Sequence, residues 1–138
     1  MRAHVAALTR DHLRLGFLVH RAPLDRRELY AYLDACAPVW ADVTLLSVAD
    51  RLATRGARSE VAIERHLALA RAVIGEALEW QWHGRPPALV RGDQLARALG
   101  ITPGPLLGEL LAAIAQEAFA GELRSAEDAI AFASARIA

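Results

Sequence analysis

Apolar positions recur at i, i+3 and i+4 along most of the chain, and runs alternating polar and apolar residues with strand composition are absent. This spacing predicts helices. The first covers Ala3 to about Leu15. A second opens after Asp25, which makes a capping-box variant with Glu28, and reaches about Cys36 before Pro38 breaks the chain. A third runs from Val39 to about Thr54, with Val43, Leu45, Leu46, Val48, Ala49 and Leu52 as its apolar residues and Gly56 as its stop. Ser59 is the expected cap of a long helix to about Trp82, whose apolar face reads as Ile63, Leu67, Ala70, Ile74 and Leu78. His83-Gly84-Arg85-Pro86-Pro87 is the linker, because two prolines cannot continue a helix. Three helices follow, near 93–99, 103–120 and 126–137. Thr102 reads as the N-cap of the second of these with Pro103 in its first turn, and Ser125 with Asp128 as the capping box of the last. The expected fold is all-α with about seven helices. A bundle-like body spans 1–82, a linker 83–87, and a short helical tail 88–138.

Composition narrows this further. Apolar residues make up 54% and aromatics only 6%, so the core must be mostly Ala, Leu, Val and Ile, which suits close-packed helices. Every one of the 16 basic residues is Arg. That fits the codon bias of a GC-rich genome, and it also fits phosphate contact through a bidentate guanidinium. Net charge is zero, so any contact with nucleic acid must come from a local cluster rather than a global field. The single Cys36 excludes an internal disulfide and fits a reducing compartment. No apolar run approaches a membrane span, and the N-terminus lacks a signal-peptide core. A cytoplasmic location without membrane contact is expected.

Several residues invite a chemical reading beside a structural one. Trp80 and Trp82 flank Gln81 and either stack on bases or cover the core beside the linker. His20, His66 and His83 lack ligand spacing and read as surface residues. Thr102 to Gly108 either holds an anion at a helix N-terminus or uses Gly104 and Gly108 for a close helix crossing. Arg85, Arg91 and Arg97 fall near the linker and the short helix, as a phosphate-facing strip or as solvated helix faces. Cys36 reads as a buried thiol rather than a nucleophile.

Two stretches carry a family resemblance. One is Gly92-Asp93-Gln94-Leu95, then Gly100-Ile101-Thr102-Pro103-Gly104-Pro105-Leu106-Leu107-Gly108, then Ser125 to Ile137. The other is Asp11-His12-Leu13-Arg14, Leu24-Asp25-Arg26-Arg27-Glu28-Leu29-Tyr30-Ala31-Tyr32, and Asp42-Val43-Thr44-Leu45-Leu46-Ser47-Val48-Ala49-Asp50-Arg51-Leu52-Ala53-Thr54-Arg55-Gly56. Together they resemble the HD-like body and C-terminal helical tail of the tRNA nucleotidyltransferase and bacterial poly(A) polymerase family. The usual Asp-Leu neighbours are here separated by Gln94.

The family's polymerase head needs an Asp-x-Asp pair for two magnesium ions, and no Asp-x-Asp occurs. The His-Asp doublet of HD proteins is also absent. The resemblance leaves only His12 and Asp50 as remnant ligand candidates, fewer than the three protein groups of a catalytic metal site. No catalytic residue, metal or cofactor is therefore assigned. The resemblance implies a non-catalytic RNA-engaging module: a fragment, a split gene product or a shortened paralogue, partnered by tRNA or another RNA and by a separate nucleotidyltransferase head. Its expected RNA contacts are Arg85, Arg91 and Arg97, helped by Arg51 and Arg55. The alternative is a helical self-association or protein-interaction module that has lost the ancestral activity, and a weaker one is a residual phosphohydrolase. A homo-oligomer is expected in either of the first two cases, through apolar surface around Val5, Leu8, Leu15 and Phe17.

Overall fold

A computed structural model describes residues 1–57 and 59–138. The described residues form eight α-helices and no strand: α1 Arg2–Asp11, α2 Arg14–Leu18, α3 Arg26–Ala35, α4 Trp40–Ala53, α5 Ser59–His83, α6 Gly92–Leu99, α7 Pro105–Ala120 and α8 Ala126–Ile137. A short 3-10 turn, Val19–Arg21, follows α2. The all-α expectation holds. The chain divides into two compact units, Met1–Arg85 and Pro86–Ala138.

The capping signals place the helix starts. Asp25 accepts from the Glu28 N–H at 2.8 Å while Glu28 accepts from the Asp25 N–H at 3.0 Å, closing a capping box on α3. Ser125 and Asp128 do the same for α8, both at 3.0 Å. Two starts differ from expectation. The helix expected over 3–15 is two helices, broken around His12 and Leu13. The helix expected from Pro103 begins at Pro105, with Gly104 rather than Thr102 at its N-cap. Thr102 and Gly104 each precede a proline, which excludes both from the α region, so the helix cannot start before the second proline. Ser59, expected as the cap of the long helix, is instead the first residue of α5, and its hydroxyl donates to the Gly56 carbonyl at 2.8 Å.

In the first unit α4 packs against α5, with α1, α2 and α3 laid around them. The buried face of α5 is His66, Leu69, Ala70, Val73, Ala77 and Trp80. The expected stripe was rotated by about one position: Ile63, Leu67 and Ile74 are only half-buried and Leu78 is exposed. The buried face of α4 likewise carries Thr44 and Ser47 beside Val43, while Leu45, Leu46 and Leu52 face out. Buried hydroxyls are tolerated because they are satisfied. Thr44 Oγ1 donates to the Trp40 carbonyl at 2.8 Å, which leaves the Tyr32 hydroxyl, 2.8 Å away, to donate to Thr44. Trp40 Nε1 donates to the Leu33 carbonyl at 2.8 Å. Trp80 meets Tyr30 and Trp40 edge to face, at 5.6 and 5.9 Å between centroids.

The second unit is smaller. Leu95, Ala96, Leu107, Leu110, Ile114, Ala129 and Ala133 from α6, α7 and α8 make its core with Val90. Burying one Leu fully is worth roughly 1.5–3 kcal/mol, so Leu95 at 0% exposure is a main anchor of α6. Gly100 and Gly121, both at positive φ, end α6 and α7.

Candidate functional site

A cleft of about 330 Å³ opens in the first unit, lined by His12, Leu13, Gly16, Phe17 and His20 on one side and Ser47, Asp50, Arg51 and His66 on the other. It brings together both remnant ligand candidates, His12 and Asp50. It also collects Arg51 and His66, which lie at neighbouring levels of α4 and α5.

His66 is the least expected member. The sequence placed it on the surface, yet it is 2% exposed. Its spacing from Leu69, Val73, Ala77 and Trp80 (i+3, i+7, i+11, i+14) was the available signal. Nε2 lies 3.0 Å from the Ser47 hydroxyl, while Nδ1 is buried without a hydrogen-bond partner among the described residues. Burial holds the imidazole below its ordinary pKa, and the neighbouring Arg51 charge adds to this against the opposing pull of Asp50. His66 is therefore neutral near pH 7.

Gly16 makes room for this arrangement. A Cβ built there would lie 3.6 Å from Arg51 Nη2, 3.8 Å from His66 Cε1 and 4.0 Å from His66 Nδ1. The glycine thus leaves a methyl-sized space bounded by a guanidinium and an imidazole edge. His12 at the rim bonds through Nδ1 to the Thr9 carbonyl at 2.7 Å. Among the described residues no group of three or more His, Cys, Asp or Glu side chains could hold a metal ion.

The other sequence candidates lie elsewhere. Arg85 belongs to the first unit, where Nη1 reaches Asp34 Oδ1 at 2.9 Å. Arg91 and Arg97 belong to the second unit and share one carboxylate, each 3.0 Å from an Asp93 oxygen. Partial desolvation pushes Asp93 up, but the two guanidiniums prevail and hold it below the usual carboxylate range. The local balance there is two cations against one anion. Arg55 donates to the Leu52 carbonyl at 3.2 Å at the end of α4. Trp80 is a core residue, and Trp82 is 75% exposed. Cys36 is fully buried, and its thiol is pushed up to about 11 by that burial, which leaves it an inert core group.

Close backbone approach falls at other glycines than expected. Nothing described lies within 4 Å of a Cβ at Gly104 or Gly108, whereas one at Gly92 would meet Leu111 Cδ1 at 3.3 Å. Gly92, not the Pro-Gly-Pro segment, marks the tight packing of the second unit.

No protein-family model and no solved structure matches the chain. Two relatives do. It is 35% identical over 132 residues to an A-adding tRNA nucleotidyltransferase of Deinococcus radiodurans, covering 96% of this chain and 27% of that protein. It is 31% identical over 131 residues to a CC-adding tRNA nucleotidyltransferase of Thermus thermophilus, covering 93% of this chain and 26% of that protein. The chain thus spans about a quarter of the length of the curated relatives it matches. The resemblance read from the motifs is a sequence relationship over nearly the whole chain, and it is consistent with the C-terminal helical region of such proteins.

Proposed function

We propose that this chain, related to tRNA nucleotidyltransferases over about a quarter of their length, is a non-catalytic helical module that engages tRNA. Residues 1–82 form its HD-like body, 83–87 its linker and 88–138 its tail. The carrying observation is the 35% identity, over 96% of the chain, to a protein named for adding A to tRNA. Arg85, Arg91 and Arg97 make the phosphate contacts, with help from Arg55 and Arg51. Asp34 and Asp93 pair with three of these side chains and cancel part of their charge. Binding is accordingly weak, salt-sensitive and tolerant of sequence, since phosphate contacts position without reading bases. The chemistry belongs to a separate nucleotidyltransferase head. Retardation of tRNA on native gels across a salt series tests this. Changing Arg85, Arg91 and Arg97 together to Ala should weaken binding, leave helicity intact and lower the salt slope by about one unit per lost contact. An unmodified chain that binds no tRNA even at low salt ends the reading.

A second reading, self-association, is favoured by exposed apolar side chains of the first unit. Leu45 and Leu52 are 57% and 49% exposed at i, i+7 on α4, and Val5 and Phe17 are 54% and 75% exposed on α1 and α2. Leu15, expected in this patch, is fully buried, and Leu8 is half-buried. Burial of such surface yields roughly 25 cal/mol per Å², from which the costs of association are subtracted. Light scattering at high protein concentration decides: a dimer supports this reading and a monomer removes it.

A further inference from the structure

The cleft beside Gly16 has three features that RNA contact through the linker and tail does not use. His66 Nδ1 is a polar atom buried without a partner among the described residues, an unfavourable state unless something completes it. Arg51 Nη2 borders the same methyl-sized space above Gly16, and among the described residues no carboxylate pairs with Arg51. Gly16, Arg51 and His66 all line the 330 Å³ cleft. An oxygen entering it would have a guanidinium N–H on one side and an imidazole nitrogen on the other.

We infer that this cleft binds a phosphate group, held between the Arg51 guanidinium and the Nδ1–H of His66 above the Gly16 backbone. Arg supplies a forked, always-charged donor suited to phosphate. In this mode the Ser47 hydroxyl, 3.0 Å from Nε2, is the donor to that nitrogen, and the imidazole proton is carried on Nδ1, the atom nearer Gly16. No metal ion is required for this mode. The organic part of the ligand rests on Leu13 and the exposed Phe17 ring at the mouth, where Asp50 accepts from a ligand hydroxyl. That combination suits a phosphorylated sugar or nucleotide. The phosphate comes either from a free small ester or from an RNA chain, and the inference does not depend on the proposed tRNA contact of Arg85, Arg91 and Arg97.

The test uses the full chain in a phosphate-free buffer with a chelator, and reads the His66 ring nitrogens by NMR during titration with inorganic phosphate, adenosine 5′-monophosphate and a short oligoribonucleotide. A saturable shift of His66 with at least one of the three is expected. Arg51→Gln should weaken it by about tenfold or more, the loss expected for a charge-assisted hydrogen bond. Gly16→Ala should weaken it as well. The added methyl meets its neighbours at ordinary contact distances, so this variant folds while filling the space. Arg71→Gln, exposed on α5 and not part of the cleft lining, should change binding less than about twofold, since a screened surface charge contributes little. Tightest binding of the monophosphate assigns a free ester, and of the oligoribonucleotide an RNA phosphate. The inference is overturned if no probe moves His66, if the shift appears only with added divalent cation, if Gly16→Ala binds as well as the parent chain, or if Arg71→Gln weakens binding as much as Arg51→Gln.

Discussion

Asp11 Oδ1 accepts a hydrogen bond from Arg14 Nε at 2.6 Å, and this contact bridges the break between α1 and α2. The carboxylate has no exposed side-chain surface, and Arg10 binds its other oxygen at 2.7 Å. Arg14 stands three residues on, the spacing at which side chains on helical backbone meet, and His12 and Leu13 keep αR backbone through the break, so the pair survives the junction. Asp11→Asn keeps the shape and removes the charge. It should cost about 1.5–3 kcal/mol in urea denaturation followed by circular dichroism, the range for hydrogen bonds to a charged group. A loss well under that range would mean that the exposed arginines contribute nothing to the junction.

Acid should destabilise the first unit in two steps. Burial holds the His66 imidazole below its ordinary value of about 6.5. The unfolded chain therefore takes up that proton first, and stability falls as pH drops below the ordinary imidazole range. Asp11 acts lower. Burial pushes its carboxyl up, but the Arg10 and Arg14 hydrogen bonds prevail and hold it below the usual carboxylate range. Its contribution is full above about pH 4 and disappears as pH falls through the folded value. Urea midpoints from pH 8 to pH 3 should show both losses, and His66→Gln should remove only the upper one. A midpoint flat between pH 7 and pH 5 in the parent chain would contradict the assignment to His66.

Trp80 is the largest fully buried side chain and touches two aromatic rings. Trp80→Ala should cost about 3–5 kcal/mol, the usual loss for a buried large aromatic. Trp82→Ala, two residues on and 75% exposed, should stay within about 0.5 kcal/mol. Similar losses in the two variants would show that the tryptophans share one environment.

Asp93 sits between Arg91 and Arg97, so Asp93→Asn releases two guanidiniums with one change. If these residues contact RNA phosphates, tRNA binding at low salt should strengthen and its salt slope should steepen. Unchanged binding and slope would take this cluster out of the interface.

Much of the local structure was legible in the residues. Asp25 with Glu28 and Ser125 with Asp128 form the capping boxes their spacing announces, because those hydrogen bonds depend only on neighbours in sequence. Which face of α4 and α5 is buried was not legible. Thr44, Ser47 and His66 lie inward while Leu45 and Leu52 lie outward, and counting apolar residues ranks those two groups in reverse. The inward hydroxyls are satisfied by Trp40, Tyr32 and His66, partners supplied by tertiary packing. The cleft was half legible: His12 and Asp50 were singled out, while Gly16 and His66 carried no local signal of their convergence.

All three tryptophans, Trp40, Trp80 and Trp82, and both tyrosines lie in the first unit, and the second contains only Phe among its aromatics. Intrinsic fluorescence excited at the indole band therefore reports one unit alone, whereas helical ellipticity sums over both. The protein carries a built-in contrast between its halves. Coincident emission and ellipticity transitions would mean that the two units unfold together, and an ellipticity change that leaves emission untouched would be the melting of Pro86–Ala138 on its own.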